Sequence, residues 1–104
     1  MVELTMRAVV PAHVLIRHLE GESVLLNLDS ERYFGLDATG TRMWELMTSQ
    51  PCIALALEKL QEEYEVEHET LRAHLIELLG RLVENGLLQG LPPDVGITST
   101  IYGA

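Results

Sequence analysis

The groups in this chain that could do acid–base, nucleophilic or metal chemistry are four histidines, one cysteine and sixteen acidic residues. Their spacing argues against each use. His13 and His18 stand five positions apart, and His68 and His74 six apart. Zinc ligands on a helix sit four apart, or in CxxC and HxxxH pairs, so neither pair meets on one metal. Cys52 lies near neither pair. It stands close to the start of a helical pattern, where a thiol can be acidified, but a small half-buried apolar residue needs no such role. From Glu58 to Glu69 the chain holds six glutamates and one lysine, a run that reads as a solvated helix face. There is no Walker loop, no GxGxxG and no GxSxG, so neither a cofactor nor catalysis is expected. What remains is backbone chemistry. Arg32-Tyr33-Phe34-Gly35-Leu36 is a short apolar run without proline or lysine, the residues that usually blunt an exposed strand edge. Gly35 would let a second backbone come close. Such an edge suits the addition of a peptide strand. An ordinary strand, with Tyr33 and Phe34 as its surface and its core, fits the same residues.

The elements that must position this run can be read on either side of it. His13–Leu19 and Ser23–Leu28 are apolar runs bounded by turn residues, with Glu20-Gly21-Glu22 as a three-residue loop between them. Asp29-Ser30-Glu31 closes a second hairpin onto Arg32–Leu36. The three runs make an antiparallel meander. Ahead of them, Met6–Val10 is β-prone and is ended by Pro11. After Leu36 the period changes to helical. Thr39 is placed to cap a first helix running to about Thr48, and Gly40 marks a close approach at the corner. Pro51 opens a second helix, Cys52 to about Tyr64, with Ile53, Leu57, Leu60 and Tyr64 on its apolar side. Val66 is expected to tuck under the next connection. A third helix, about Glu67–Asn85, carries the stripe Leu71, Leu75, Leu78, Leu79, Leu82 and Val83. Gly86 sits where a left-handed C-cap is wanted, folding Leu87 and Leu88 back. The expected fold is α+β and winged-helix-like: a three-stranded antiparallel sheet followed by three helices. Residues 1–12 read as a lead-in, 13–89 as the domain and 90–104 as a tail. In the tail Ile97–Tyr102 is β-prone; it could lie along a free sheet edge and block it or build a homodimer.

Composition narrows the class further. The chain has 104 residues, 47% of them hydrophobic, enough for one domain with one core. A net charge of −9 opposes binding to nucleic acid phosphates. A winged-helix regulator of DNA would need basic residues on its recognition helix; the third helix carries Arg72 and Arg81 against Glu67, Glu69, Glu77 and Glu84. The single Cys52 cannot close an internal disulfide, so a reducing, cytoplasmic setting is expected. The start has no signal-peptide pattern, and no apolar run approaches the ~20 residues that span a bilayer.

The stretch Val24–Trp44, VLLNLDSERYFGLDATGTRMW, resembles the PqqD-like family, also called the RiPP recognition element. The residues that carry the resemblance are Leu25-Leu26-Asn27-Leu28, Tyr33-Phe34, Leu36, Thr39-Gly40 and Trp44, then Tyr64, Leu82 and Glu84-Asn85-Gly86-Leu87-Leu88. The likeness covers roughly His13 to Leu88. One departure is Asp37, where Asn is usual; either can hold the corner by a side-chain bond to backbone. The resemblance implies a non-catalytic module that binds the leader segment of a ribosomally made precursor peptide. The leader adds as a strand antiparallel to the third strand, and its apolar side chains enter a groove between that strand and the third helix. The module presents the precursor to a maturation enzyme: a radical SAM protein in pyrroloquinoline quinone assembly, or a separate leader peptidase in lasso-peptide assembly. The YFGLDATG form is closer to the lasso-peptide group. On this chain Glu31, Arg32, Tyr33, Phe34, Gly35 and Leu36 would supply the strand. Arg72, Leu75, Ile76 and Leu79 would line the helical wall, Ile76 because it lies off the main stripe. Arg32 and Arg72 are either partners for acidic leader residues or plain surface charges.

Overall fold

A computed structural model describes residues 4–91 of the chain. The β-prone Ile97–Tyr102 piece lies outside the described residues. The element order is β1 (Arg7–Val9), β2 (Val14–Leu19), β3 (Glu22–Asn27), β4 (Arg32–Leu36), α1 (Ala38–Ser49), α2 (Ile53–Glu63), α3 (His68–Glu84) and β5 (Gln89–Leu91). β2, β3 and β4 form the expected three-stranded antiparallel meander in that order. The three helices follow it, as the sequence predicts.

The β2–β3 loop is one residue shorter than expected. Leu19 pairs with Glu22, so only Glu20 and Gly21 turn the chain, and both have positive φ, 29° and 84°. Two left-handed residues match the right-handed twist of a hairpin, and Glu22 is thereby freed to join the strand. The loop from β3 to β4 ends on Glu31, also left-handed at φ 60°, whose N–H donates to the Asn27 carbonyl at 2.7 Å.

The sheet's inner rows feed the core. Leu25 is fully buried, and Val14, Leu36, Trp44, Met47, Ile53, Leu60, Leu75, Leu79 and Leu82 pack with it. On α3 the buried residues are Leu71, Leu75, Leu79 and Leu82. Leu78 is half-buried at the stripe's margin. Val83 is exposed, contrary to expectation, and so is Val66 in the α2–α3 connection: the helix needs only one narrow face against the sheet and α2.

Two segments outside the meander are tied to each other. β1 pairs antiparallel with β5, Ala8 opposite Gly90. The segment before β1 also caps α2. Ile53 N–H donates to the Met6 carbonyl and Ala54 N–H to the Leu4 carbonyl. These are first-turn donors of a helix whose N-cap, Cys52, makes no side-chain cap bond, so backbone from elsewhere must satisfy them. At the other end of α3, Gly86 adopts φ 70° and Leu87 N–H closes onto the Leu82 carbonyl at 2.8 Å. Leu87 and Leu88 are buried by that turn, as the Gly86 signal predicts. Arg42 joins α1 to α2, donating to Glu63 at 2.8 and 2.6 Å and to Glu45 at 3.1 Å. Its hydrogen bonds to Glu63 hold that carboxyl below the usual carboxylate range, though so exposed a pair adds little stability.

The corner between β4 and α1 is capped by Asp37 rather than Thr39. Asp37 Oδ1 accepts from Gly40 N–H at 2.7 Å, and Thr39 lies two residues inside, exposed. Gly40 is closely approached: a Cβ there would stand 3.2 Å from Asp37 Oδ1 and 3.3 Å from Leu36 Cδ2, so those side chains would have to give way. Beneath the corner, the Ser23 and Thr41 hydroxyls meet at 2.7 Å, both buried, and bolt α1 to β3. Asp37→Ala is therefore expected to cost about 1 kcal/mol of stability, and Thr39→Ala a few tenths. Denaturant melts of the two variants check the difference.

Candidate functional site: the open edge of β4

β4 is an edge strand among the described residues, and its register shows which backbone groups it leaves free. The two-residue β2–β3 loop makes its flanking pair, Leu19 and Glu22, a hydrogen-bonded pair. Bonded and non-bonded pairs then alternate along an antiparallel ladder. On β3, Glu22, Val24 and Leu26 bond to β2, which leaves Ser23, Leu25 and Asn27 for β4. Their partners are Leu36, Phe34 and Arg32. Tyr33 and Gly35 therefore direct N–H and C=O away from β3, toward the open edge.

Side chains divide by the same parity. Phe34 shares the inner face with Leu25 and Leu36 and is half-buried. Tyr33 is on the outer face, 75% exposed. The Arg81 guanidinium of α3 sits over the Phe34 ring, 5.2 Å from its centroid, a cation–π contact. That contact spans a shallow groove between β4 and α3. One end is a hollow with Asp37, Thr39 and Met43 on one side and His74, Leu78 and Arg81 on the other. The opposite end is bounded by Asn27, Ser30 and Arg32 on the hairpin and by Glu84 and Asn85 on the helix.

The floor and ends of this groove are held by polar bonds. Asn27, 6% exposed, donates through Nδ2 to the Asn85 carbonyl at 2.9 Å. Its Oδ1 accepts from Asp29 and Ser30 N–H at 2.9 and 3.2 Å. His13 Nε2 lies 3.0 Å from the Gly86 carbonyl. The last turn of α3 is thus fastened to the loop that leads into β4.

The expected site residues fall into three groups. Arg32, Tyr33, Phe34 and Gly35 lie on the β4 edge, and Glu31 is in the turn just before the strand. Leu36, Leu75 and Leu79 are core: their exposures are 5%, 0% and 0%, so they support the groove from beneath. Arg72 and Ile76 are half-buried on the other flank of α3, about 120° or more around the helix from Leu78 and Arg81. The flank bearing His74, Glu77, Leu78 and Arg81 faces the β4–α1 corner, and its Arg81 reaches the Phe34 ring of β4. The reason is rotational: α3 turns to bury Leu71, Leu75, Leu79 and Leu82, and that leaves the side bearing Leu78 and Arg81 across from Phe34. A stripe at helical period does not tell its two margins apart. Leu78 belonged to the expected stripe, but nothing in the sequence marked it as the residue on this margin.

A second apolar hollow lies on the outer sheet face. Leu15, Leu26 and Tyr33 share one cross-strand row there, with Leu15 53% exposed. Strand residues line it and no helix stands across from it, so the groove at β4 is the better seat for a peptide. Among the described residues no group of His, Cys, Asp and Glu could hold a metal ion, and no helix is long and apolar enough to cross a membrane.

With this geometry in place, three comparisons bear on the chain. A family model described as Coenzyme PQQ synthesis protein D (PqqD) matches residues 22–88, from the start of β3 to the Leu87-Leu88 turn. The fold is similar to TbiB1 solved in complex with the TbiA(beta) leader peptide, at 32% identity and a TM-score of 0.70 over 78% of this chain and 94% of that one. It is also similar to a lasso peptide synthetase B1 complexed with the leader peptide, at 24% identity and a TM-score of 0.70 over 80% of this chain and 98% of that one; this second likeness shows the fold alone. No curated relative matches. Because the matched span takes in β4, the helix across from it and the turn that fastens the two, the chain belongs to the PqqD family, whose members include RiPP recognition elements.

Proposed function

We propose that this protein is a non-catalytic RiPP recognition element that binds the leader segment of a ribosomally made precursor peptide in lasso-peptide assembly. The leader adds as a fourth strand, antiparallel to β4, and hydrogen-bonds to Tyr33 and Gly35. Its inward side chains enter the groove against Phe34, Leu78 and Arg81. The bound precursor is handed to a maturation enzyme, a leader peptidase, in the cytoplasm where the precursor is made. One observation carries the reading: β4 combines outward-facing backbone groups with a half-buried aromatic ring and an open groove on the same edge. The relative TbiB1, 32% identical, was solved with a leader peptide, which favours a leader segment as the guest. The family description, coenzyme PQQ synthesis, favours a second reading, in which the same edge serves a radical SAM enzyme of cofactor assembly.

The test is titration of a synthetic leader peptide, taken from the precursor gene beside this one, into isotope-labelled protein. Amide shifts are expected at Tyr33, Gly35 and the Leu78–Arg81 turn. Phe34→Ala and Leu78→Glu should each weaken binding by at least about tenfold, or about 1.4 kcal/mol. Ile76→Glu, on the far flank, should change it by less than about twofold. Equal losses at Ile76 and Leu78 would move the binding site off this groove.

A further inference from the structure

The outer face of β4 carries a gap that the strand itself does not fill. Across the sheet, Arg17, Val24 and Gly35 form one row on that face. Arg17 and Val24 bring side chains to it and Gly35 brings none. A Cβ built on Gly35 would meet nothing within 4 Å. Val24 is left half-covered beside it, and a hollow opens there between Leu19, Glu22, Val24, Gly35 and Asp37. Tyr33, two positions back on the same face, stands 75% exposed.

We infer that this hollow is a specificity pocket for one outward-facing side chain of the bound leader, and that the side chain is aromatic. The inference rests on strand addition to β4. A guest residue that exchanges backbone bonds with Gly35 projects onto the outer face, because directly opposed residues share a face. Its neighbour on the sheet is then a glycine, so its side chain can lie flat across the bare backbone and reach Val24. Glycine in a strand is covered in this way by a cross-strand aromatic ring, which restores packing that the glycine forfeits. An aliphatic side chain would reach over Gly35 less far than a planar ring, and an acidic one would meet Val24 and the Glu22 and Asp37 carboxylates. The next guest residue points the opposite way, into the groove beside Phe34. The leader's recognition segment is therefore two consecutive large apolar residues, one for each face, with the aromatic one facing Gly35. Simple alternation of apolar and polar residues would fill only the groove.

The experiment uses the full chain and the synthetic leader of the neighbouring precursor. Paramagnetic or cross-strand proton contacts first identify the leader residue opposite Gly35. Three peptides follow, with Phe, Leu or Ala at that position. The Phe peptide is expected to bind the native protein at least about tenfold more tightly than the Ala peptide, and to show ring contacts to the Val24 methyls. Gly35→Val keeps the strand and its backbone bonds but occupies the hollow. It should reduce the Phe-over-Ala preference, both peptides being measured on that variant, to less than about twofold. If the three peptides bind the native protein equally, with the Tyr33 and Gly35 amide shifts intact, strand addition stands and the pocket is refuted. If no peptide shifts those amides, strand addition and the pocket fail together. A preference that survives Gly35→Val unchanged also overturns the pocket.

Discussion

Gly35→Pro should abolish leader binding while leaving the domain folded. A proline in a β-strand is tolerated where its missing N–H was not bonded to the neighbouring strand. The ladder to β3 uses Arg32, Phe34 and Leu36, so Gly35 points its N–H at the open edge. The site also has space: nothing lies within 4 Å of a Cβ at Gly35. Phe34, the residue before it, is already extended, which is the conformation a following proline demands. The native fold thus loses no hydrogen bond, and the melting temperature should move by only a few degrees. An incoming strand loses a donor at the centre of its ladder and meets the pyrrolidine ring where its own carbonyl would sit. Affinity should fall by about a hundredfold or more, equivalent to at least about 2.8 kcal/mol. Phe34→Pro is the contrasting case. It removes a bond to Leu25 and a half-buried ring, and should unfold the sheet. Calorimetric titration and circular dichroism on both variants check the pair. Full affinity in a folded Gly35→Pro protein would rule out strand addition at β4.

The strands and helices were legible because each is set by local pattern. Period-two runs bounded by Glu20-Gly21 and by Asp29-Ser30-Glu31 gave the meander, and Gly86 followed by two leucines gave the end of α3. The features that could not be read depend on contacts between distant segments. Asp37 and Thr39 are both good N-caps, and the choice between them is made by where β4 ends: Leu36 is held by Ser23 in the ladder, so the helix begins at Ala38. β5 has three residues and no strand signature. It forms because Gly86 redirects the chain toward β1, and because glycine at position 90 accommodates the Met6 side chain lying against it. The groove shows the same division. Its strand wall was legible from Arg32 to Gly35, since a hairpin fixes both position and facing. Its helical wall was not, because the rotation of α3 is decided by packing against α2 and the sheet. Arg81 had no signal beyond being a basic residue near the end of a helix, yet it is the group that rests on Phe34.

The fastening at Asn27 is where stability and binding meet. Asn27 is nearly buried and makes three hydrogen bonds, one to the last turn of α3 and two that shape the loop into β4. No other side chain type supplies both a donor and an acceptor in that geometry: Asp has no donor, Leu has neither. Asn27→Leu would leave the Asn85 carbonyl and two loop amides to find water at a half-buried position, at about 3 kcal/mol. For a domain of this size that corresponds to a fall of more than about 10 °C in melting temperature. Asn27→Asp keeps the two loop bonds but sets a carboxylate against the Asn85 carbonyl, so its loss should be of similar size, shared between that repulsion and the missing donor. The effect on the leader should exceed what unfolding explains. Without the bond from Asn27 the last turn of α3 is no longer tied to the loop, and the Arg81–Phe34 contact one turn away loses its fixed spacing. At a temperature where the Asn27→Asp protein is still fully folded, leader affinity should therefore be several-fold weaker than for the native protein. An Asn27→Asp protein that is folded and binds with native affinity would show that the hairpin alone positions the edge, and that the tie to α3 serves stability and nothing more.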